Sequence, residues 1–425
     1  MCGSAVDAMG DDHQDGRSSA FSANEYRSVC PNPQSGDVNI TVRAQLPLEA
    51  AHTNCSPIGD VSMFQQPLPL EITRLSPEET DARIARARRC LGEDLIILGH
   101  HYQRDEIIKW ADFRGDSLRL SRIASEHPEA KYFIFCGVHF MAESADILTT
   151  DEQVVILPNL TAGCSMADMA SIGQVEACWE DLQTSTDTTR IVPITYVNST
   201  AALKAFVGRH GGSACTSSNA RKVVEWALAK GDKILFFPDQ HLGRNTAAAI
   251  GLDPVRDMLV WDPNKPFGAV TAEEVQAKRV LLWKGHCSVH ARFTVAQIEK
   301  AREDHPGVQI IVHPECSLDV VKASDLNGST DVIIKTIQEA PSGSVWGVGT
   351  EVNLVSRLAH EYPDKTIFCL DPVVCPCSTM YRIHPSFLLW TLENLEAGRI
   401  VNQVKVKPEI AADARIALER MLAIR

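Results

Sequence analysis

The sequence predicts an α/β protein built on parallel sheets, and three features of the apolar pattern support this. From Leu75 onward, short apolar runs alternate with amphipathic segments that are long enough for crossover helices. The runs are continuously apolar, as in parallel strands that are buried on both faces. Nearly every run is followed by His, Asn, Asp, Glu, Cys or Gly. Because open parallel sheets bind ligands beyond the carboxyl ends of their strands, we expect the chemistry to lie there.

The individual elements follow from local signals. Ser76 is a suitable N-cap, Pro77 suits a first turn and Glu79 completes a capping box, so a helix is predicted from there to Arg89. Further helices are predicted over 220–230, 295–304 and 385–397, the last closed by glycine 398. The predicted strands are the apolar runs Leu95-Ile-Ile-Leu, Tyr132-Phe-Ile-Phe, Val154-Val-Ile-Leu, Ile191-Val-Pro-Ile, Ile234-Leu-Phe-Phe, Val280-Leu-Leu-Trp, Val308-Gln-Ile-Ile-Val, Val345-Trp-Gly-Val and Thr366-Ile-Phe-Cys.

Composition narrows the class of protein. A chain of 425 residues exceeds one ordinary core, so two to four domains are expected. The net charge of −13 argues against nucleic acid or an anionic membrane as the main partner. There is no apolar run of about 18 residues, so no membrane span is expected. The 13 cysteines are odd in number and no signal segment opens the chain, which favours a cytoplasmic protein with metal-binding or catalytic thiols.

Three similar stretches of the chain end in a cysteine, namely Ala-Gly-Cys164-Ser-Met, Gly-His-Cys287-Ser-Val and Cys375-Pro-Cys377-Ser-Thr-Met. Each cysteine pairs with an upstream anchor that is typical of an active-site loop. The anchors are Gly-His100-His-Tyr102, Thr-Tyr196-Val-Asn198 and Val-His313-Pro-Glu315-Cys. The separations from 100 to 164, 196 to 287 and 313 to 377 are 64, 91 and 64 residues. The equal spacings indicate one unit used three times, with an insertion near 261–278 in the middle copy.

Two further markers recur in the same order within each unit. The first is a hydroxyl-rich turn that contains Ser117, Ser217 or Ser329. The second is a polar turn that begins at His139, Asp239 or Thr350. We therefore predict an N-terminal extension over 1–72, too polar to order itself, followed by repeats over 73–185, 186–300 and 301–425. The extension contains Cys2, Cys30 and Cys55, which are excluded from the site.

One thiolate per repeat predicts a metal centre held by Cys164, Cys287 and Cys377. Cys375 is the rival for the third position. Cys377 is preferred because it preserves the 64-residue spacing and lies eight residues before the helix that opens at Pro385. Three thiolates fit either a zinc site with an open position or a [4Fe–4S] cluster with one open iron. The residues alone leave both open, together with a non-enzymatic iron–sulfur carrier or sensor.

From about Ser76 to its end, the chain resembles the quinolinate synthases. The motifs that carry the resemblance are Gly99-His-His-Tyr-Gln, Ala111-Asp-Phe-Arg-Gly-Asp-Ser-Leu, Phe135-Cys-Gly-Val-His-Phe-Met-Ala-Glu, Ala162-Gly-Cys-Ser-Met-Ala-Asp, Tyr196-Val-Asn-Ser, Cys215-Thr-Ser-Ser-Asn-Ala, Pro238-Asp-Gln-His-Leu-Gly-Arg-Asn, Gly285-His-Cys-Ser-Val-His, Val312-His-Pro-Glu-Cys, Gly328-Ser-Thr, Gly349-Thr-Glu-Val and Cys377-Ser-Thr-Met. The extension and Cys375 depart from the family pattern.

The resemblance implies three similar αβα domains around a pseudo-threefold axis, with one active site at the centre. It implies a [4Fe–4S] cluster on Cys164, Cys287 and Cys377 whose fourth iron faces the substrate. The implied reaction condenses iminoaspartate with dihydroxyacetone phosphate to give quinolinate, phosphate and two waters, for NAD synthesis. L-Aspartate oxidase would supply the iminoaspartate.

Roles for the remaining residues follow from the chemistry that such substrates need. Phosphate and carboxylates suit hydroxyls and amides at helix starts, which predicts binding by Ser117, Ser217, Ser329 and Thr330. Tyr196 and Asn198 are expected to orient substrate. Proton transfers require His, Glu or Tyr with shifted pKa values. The predicted catalytic residues are His100, Tyr102, His313 and Glu315, and the two histidines are also expected to touch substrate.

Overall fold

The computed structural model describes residues 64–424. Residues 1–63 of the predicted extension, with Cys2, Cys30 and Cys55, lie outside the described residues. The remaining residues of that extension pack on the folded body. The Gln65 Oε1 atom accepts hydrogen bonds from the Leu160 amide at 2.8 Å and from Asn402 Nδ2 at 3.0 Å. Ile72 is buried. The fold therefore begins upstream of the expected residue 73.

Three sheets follow one another along the chain, each with its own helices. The first segment contains strands β1 (Leu95–His100), β2 (Phe113–Gly115), β3 (Tyr132–Cys136) and β4 (Val154–Ile156), with helices α1 (Leu70–Thr73), α2 (Pro77–Leu91), α3 (Asp105–Ile108), α4 (Ser117–Glu126), α5 (His139–Leu148) and α6 (Ile172–Ser185). The second segment contains β5 (Ile191–Tyr196), β6 (Ser213–Cys215), β7 (Lys233–Phe237), β8 (Met258–Trp261) and β9 (Val280–Trp283), with α7 (Ala201–Arg209), α8 (Ala220–Lys230), α9 (Gln240–Ala249), α10 (Ala272–Ala277) and α11 (Val295–Asp304). The third segment contains β10 (Gln309–Val312), β11 (Leu326–Asn327), β12 (Val345–Gly349), β13 (Thr366–Cys369) and β14 (Gln403–Val404), with α12 (Leu318–Ala323), α13 (Thr330–Glu339), α14 (Val352–Glu361), α15 (Pro385–Glu396) and α16 (Pro408–Ala423).

The three sheets share one strand order. The orders are β14-β4-β3-β1-β2, β6-β5-β7-β9-β8 and β11-β10-β12-β13. Without β8 and β14, each sheet places the strands of its segment in the order second, first, third, fourth. All pairs are parallel except β14 with β4. The predicted α/β class with three similar αβα units is confirmed. Strand β8 and helix α10 supply the extra length of the middle copy.

Each apolar run that predicted a strand forms a strand, and all of these except β13 lie inside their sheets. Five strands are not among the predicted runs: β2, β6, β8, β11 and β14. All of these except β8 are only two or three residues long, which is too short to show a pattern. The capping box at α2 is confirmed: the Ser76 amide donates to Glu79 Oε2 at 2.8 Å, and the Glu79 amide donates to Ser76 Oγ at 3.2 Å. Helices α8 and α11 match their predicted bounds, and α15 ends one residue early, before Gly398 at φ 73°.

The core is aliphatic, with a few large aromatic side chains between sheets and helices. Phe133, Phe135, Phe236 and Trp283 are fully buried. Within residues 64–424, no helix combines the length and the apolar character that crossing a bilayer requires.

One charged side chain lies inside this apolar interior. Lys204 on α7 is fully buried, and its ammonium donates to the Ser199 carbonyl and lies 5.5 Å from the Phe140 ring centroid. Among residues 64–424 it has no carboxylate within ion-pair distance. Burial lowers its pKa from 10.5 to about 8, and the more distant Glu143 opposes that shift. Burial of the ammonium costs free energy of folding, and its hydrogen bond to the Ser199 carbonyl holds the backbone that follows Tyr196.

Lys204 predicts a specific pH dependence of stability. Between pH 8 and 10.5 the unfolded chain holds the lysine proton that the folded chain has released, so stability rises with pH in that window. The shift corresponds to about 3 kcal/mol. The urea-unfolding free energy of the parent, relative to Lys204→Met, should be constant below pH 8 and rise above it. The exposed Lys230→Met variant is the control, and an equal pH profile for both variants would contradict the assignment.

Candidate active site

One cavity is lined by residues from all three segments. The volume of this cavity is about 70 Å³. All but one of the predicted site residues line it. Those that do are His100, Tyr102, Ser117, Cys164, Tyr196, Asn198, Ser217, Cys287, His313, Glu315, Thr330 and Cys377. Ser329 instead caps α13 directly before Thr330, and its Oγ accepts from the Val332 amide at 3.5 Å.

The three lining cysteines occupy equivalent backbone positions. Each follows the fourth strand of its sheet, which is β4, β9 or β13. In each case a short 3₁₀ turn begins three residues after the cysteine, and a helix begins eight residues after it, at α6, α11 or α15. The carbonyls of Cys164, Cys287 and Cys377 accept from the amides of Asp168 at 3.1 Å, Ala291 at 3.0 Å and Tyr381 at 2.9 Å.

Cys375 also follows β13, but the 3₁₀ turn and the helix begin at Met380 and Pro385, too far along the chain to match the other two cysteines. It is exposed and lies outside the cavity lining, whereas the amide of Cys377 donates to the buried Glu351 Oε1 at 3.1 Å. Cys316, which follows the third anchor, is fully buried and directs its thiol to the Gly349 carbonyl. The backbone geometry therefore groups Cys377, and not its neighbours in sequence, with the other two cysteines.

The chemistry of these thiols fits a metal-bearing group. Every cysteine within 64–424 is free of disulfide bonds. Burial raises the pKa of Cys164 to about 12, with Cys377 adding to the shift. Burial, and after it the Glu315 carboxylate, holds the pKa of Cys287 well above its usual value. Thiolates at these positions require a nearby positive charge, which a thiolate-bound metal provides.

Glu315 is the centre of a hydrogen-bond network inside the cavity wall. Its Oε1 accepts from the Tyr196 hydroxyl at 2.6 Å, and its Oε2 accepts from His290 Nδ1 at 2.7 Å. The other nitrogen of His290 lies 3.2 Å from Thr350 Oγ1 and 3.4 Å from the Tyr102 hydroxyl. Burial alone would raise the pKa of Glu315, but the adjacent histidines and these hydrogen bonds outweigh it and lower the pKa. The carboxylate is therefore ionised.

The two anchor histidines are neutral. Burial lowers the pKa of His313 to about 3, with His290 stacked against it at 4.4 Å between ring centroids. Burial holds the pKa of His100 well below its usual value. In both rings Nδ1 accepts a backbone amide two residues on, from Tyr102 at 3.1 Å and from Glu315 at 3.3 Å. These bonds leave Nε2 as the N–H donor of each neutral ring.

The tyrosines are protonated donors. Burial, followed by the Glu315 carboxylate, raises the pKa of both Tyr102 and Tyr196 well above 10. The Tyr102 hydroxyl also lies 2.8 Å from Thr350 Oγ1. The cavity thus combines one ionised carboxylate with neutral imidazoles and phenols, an arrangement suited to moving protons.

A second part of the cavity is rich in hydroxyls. Ser117 and Thr330 are the first residues of α4 and α13, and Ser217 lies in the turn before α8. Buried Thr330 Oγ1 and Asn198 Oδ1 have no hydrogen-bond partner within the described part of the chain. Buried polar atoms are normally paired, so these two are available to a bound ligand. Free amides at the starts of α4 and α13 add donors for an anion.

Sequence reasoning missed His290, Thr350 and Asp116 as members of the site. His290 stands in the quoted Gly285-His-Cys-Ser-Val-His motif, and Asp116 and Thr350 stand in two of the marker turns. The motifs therefore contained the signal, but spacing alone could not show that Asp116 lines the cavity or that His290 and Thr350 join the network around Glu315. Cys287, His290 and Glu315 also hold potential ligand atoms within 4.8 Å of one another, which is compatible with a single bound ion.

Comparison with known proteins gives one consistent family. The family model described as Quinolinate synthetase A protein matches residues 82–423. The chain is 59% identical over 368 residues to a quinolinate synthase of Corynebacterium glutamicum, covering 87% of this chain and 93% of that protein. It is 56% identical over 357 residues to a quinolinate synthase of a Geobacillus species, covering 84% and 96%. A quinolinate synthase of Streptomyces coelicolor is 52% identical over 354 residues, covering 82% and 90%.

Each anchor loop is held by a side chain from another segment. Asn245 on α9 is buried, and its amide donates to the carbonyls of Pro314 and Cys316, both at 2.8 Å. Arg357 on α14 donates to the carbonyls of residues 101 and 103. Glu143 on α5 accepts from the Ala201 amide at 3.0 Å, just after the second anchor. The helix after the third strand of one segment thus clamps the loop of the next.

Asn245→Leu should remove two donors from buried carbonyls and destabilise the protein by about 2 to 4 kcal/mol. Urea unfolding measures the loss. Asn394→Ala is the control, because its amide donates to one half-buried carbonyl within its own helix, that of Trp390, and otherwise only accepts from Arg399 Nε at the surface. Similar small losses for both variants would show that the clamp on the third anchor is weak.

Proposed function

The chain belongs to the quinolinate synthetase A family, and we propose that it condenses iminoaspartate with dihydroxyacetone phosphate to form quinolinate, phosphate and two waters. The observation that carries the proposal is one cavity that joins three equivalent cysteines, the network around Glu315 and the hydroxyls at helix starts. The product would enter NAD biosynthesis. The proposal includes a cytoplasmic location and a supply of iminoaspartate by L-aspartate oxidase.

We further propose that Cys164, Cys287 and Cys377 hold a [4Fe–4S] cluster. Their equivalent backbone positions and their shared exposure to one cavity support this ligand set. When bound by three thiolates, such a cluster supplies an iron with an open position, which is a Lewis acid for substrate oxygens. Glu351 holds the backbone of Cys377 and so positions the third ligand.

The hydroxyl-rich part of the cavity is assigned to the anionic groups of the substrates. Ser117, Ser217 and Thr330 would donate to phosphate or carboxylate oxygens, and Ser329 would fix the turn that presents Thr330. Asn198 would orient substrate through its unpartnered buried amide oxygen. Neutral donors suit this task because they bind an anion without forming a stable ion pair that retains the product.

Proton transfer is assigned to the network around Glu315. The ionised carboxylate accepts a proton from substrate carbon or nitrogen, either directly or through the Tyr196 hydroxyl that already donates to it. His100 and His313 present neutral N–H groups that can polarise a substrate carbonyl or hydrogen-bond to a leaving hydroxyl. Tyr102, in contact with Thr350 and His290, can return a proton to the network.

The cysteine assignment is tested by metal content. Cys164→Ala, Cys287→Ala and Cys377→Ala should each lose the cluster, whereas Cys375→Ala should retain most of its iron, because Cys375 lies outside the cavity lining. Anaerobic purification, iron, zinc and sulfide determination, and EPR after reduction give the measurement. Iron retained in Cys377→Ala but lost in Cys375→Ala would reverse the assignment.

The same samples separate the alternatives. Zinc without sulfide in the parent would indicate a zinc enzyme, for which the Cys287, His290 and Glu315 triad offers a second candidate centre. An intact cluster without formation of quinolinate from iminoaspartate and dihydroxyacetone phosphate would indicate a carrier or sensor.

Removal of the proton-transfer groups should abolish most turnover. Glu315→Gln or His313→Ala should lower kcat by ~10²-fold or more, in line with loss of a general acid or base. The cluster absorbance should remain, because neither residue is assigned as a ligand. Glu339→Gln, an exposed carboxylate on α13, is the control. Turnover near the parent level in both site variants would show that other groups move the protons.

A further inference from the structure

An open groove lies directly outside the hydroxyl-rich wall of the cavity. The volume of this groove is about 470 Å³. It follows the outer face of α4, from the start of that helix to its carboxyl end. The residues that line it include Asp116, Arg119, Arg122, Glu126, Ser218 and Asp331.

The groove and the cavity share Asp116, and three turns supply neighbouring residues to the two spaces. At α4, Ser117 lines the cavity while Asp116 lines both spaces. In the turn before α8, Ser217 lines the cavity while the exposed Ser218 lines the groove. At the start of α13 the corresponding neighbours are Thr330, in the cavity, and residue 331, in the groove. The three turns assigned to substrate anions therefore also form the floor of the groove.

Among residues 64–424, one hydrogen bond joins the first and second segments between the groove and the cavity. The Ser218 hydroxyl donates to Asp116 Oδ2, and Asp116 Oδ1 accepts from the Arg119 amide at 2.8 Å. A second contact joins the first and third segments, where His101 Nε2 lies 2.9 Å from Asp331 Oδ1. Breaking the Ser218 bond would need only a rotation of one exposed serine side chain.

The groove also carries unpaired positive charge. Arg119 and Arg122 are exposed, and Lys222 lines a shallow pocket that shares Arg122 and Ser218 with the groove. Within 64–424, none of these three cations has a carboxylate within 4 Å. Three carboxylates line the groove as well: Asp116 is hydrogen-bonded to Ser218, Asp331 lies 2.9 Å from His101 Nε2, and Glu126 is exposed at the carboxyl end of α4. Because Asp116 and Asp331 have partners of their own, Arg119, Arg122 and Lys222 remain available to an anion.

We propose that this groove is the route by which the phosphorylated substrate reaches the cavity, with the Ser218–Asp116 hydrogen bond as its gate. Arg119, Arg122 and Lys222 collect the phosphate ester, which then passes Ser218 to the hydroxyls of the next residues in the same turns. This inference rests on the proposed function for the identity of the substrate. Inorganic phosphate formed in the reaction carries the same chemical group, and it leaves along the same path.

The role of Arg119 and Arg122 in attracting the phosphate ester can be tested without turnover. Association and dissociation of glycerol 3-phosphate, an unreactive phosphate ester, are followed by ³¹P NMR line broadening on the cluster-bearing protein at several salt concentrations. Arg119→Gln/Arg122→Gln should lower the association rate about 5-fold or more and flatten its salt dependence. Glu126→Gln should raise the rate. The matched control, Arg89→Gln/Arg279→Gln, removes two exposed arginines beside the amino ends of β1 and β9 and should leave the rate unchanged.

The gate is tested by blocking it with a bulky side chain at position 218. Ser218→Trp should lower kcat/KM for dihydroxyacetone phosphate about 10-fold or more with iron content unchanged, whereas Ser342→Trp, at an exposed serine in the third segment, should have no effect. Inorganic phosphate, titrated as a line-broadening probe, should exchange more slowly in Ser218→Trp if product leaves by the same route.

An association rate that is insensitive to the arginines, or a Ser218→Trp variant with unchanged kcat/KM, would overturn the route. A parent that forms no quinolinate but shows the predicted association kinetics would overturn the proposed function alone.

Discussion

The loops that build the cavity are held in place by side chains of neighbouring segments, and the site depends on these contacts more than on any single sheet. Asn245 of the second segment holds the third anchor, Arg357 of the third holds the first, and Glu143 of the first meets the backbone that follows the second. Each of the three segments therefore holds a loop of the next one, and the third holds a loop of the first. Because each loop is fixed from outside its own segment, no segment can form its part of the cavity alone. Stability of the folded chain and geometry of the site are therefore coupled.

The parallel sheets decide which residue types reach the cavity. Parallel strands end at the same edge, so four strand ends per sheet deliver four turns to one side. With the same strand order three times, the first strand delivers an anchor, the second a hydroxyl turn, the third a helix that clamps, and the fourth a cysteine. This repetition creates a cavity whose two ends differ in their chemical groups. Thiols and the Glu315 network lie at one, and neutral hydroxyls and amides at the other.

Most of this arrangement could be predicted from the sequence, for identifiable reasons. Buried parallel strands must be apolar throughout, so their runs stand out, and the equal spacing of the first and third repeats singles out Cys377 over Cys375. Three kinds of feature could not be predicted. The strands β2, β6 and β11 are too short to show a pattern. His290 reaches Glu315 only through the fold. The contact of Gln65 with Asn402 joins residues too distant in sequence for any local signal.

The electrostatics of the cavity explain why its two ends differ. Desolvation disfavours every charge in this interior, so a charged group persists only where donors or an opposite charge compensate it. Glu315 is compensated by hydrogen bonds from Tyr196 and His290 and stays ionised. For His100 and His313, burial outweighs the attraction of the nearby Glu315 carboxylate, so both rings stay neutral. Burial raises the pKa values of the Cys164 and Cys287 thiols. A positive metal group at the cysteines would reverse that balance, because it would turn the most costly charges of the cavity into the best compensated ones. The hydroxyl end needs no such partner, since its donors are neutral and the charge would arrive with the ligand.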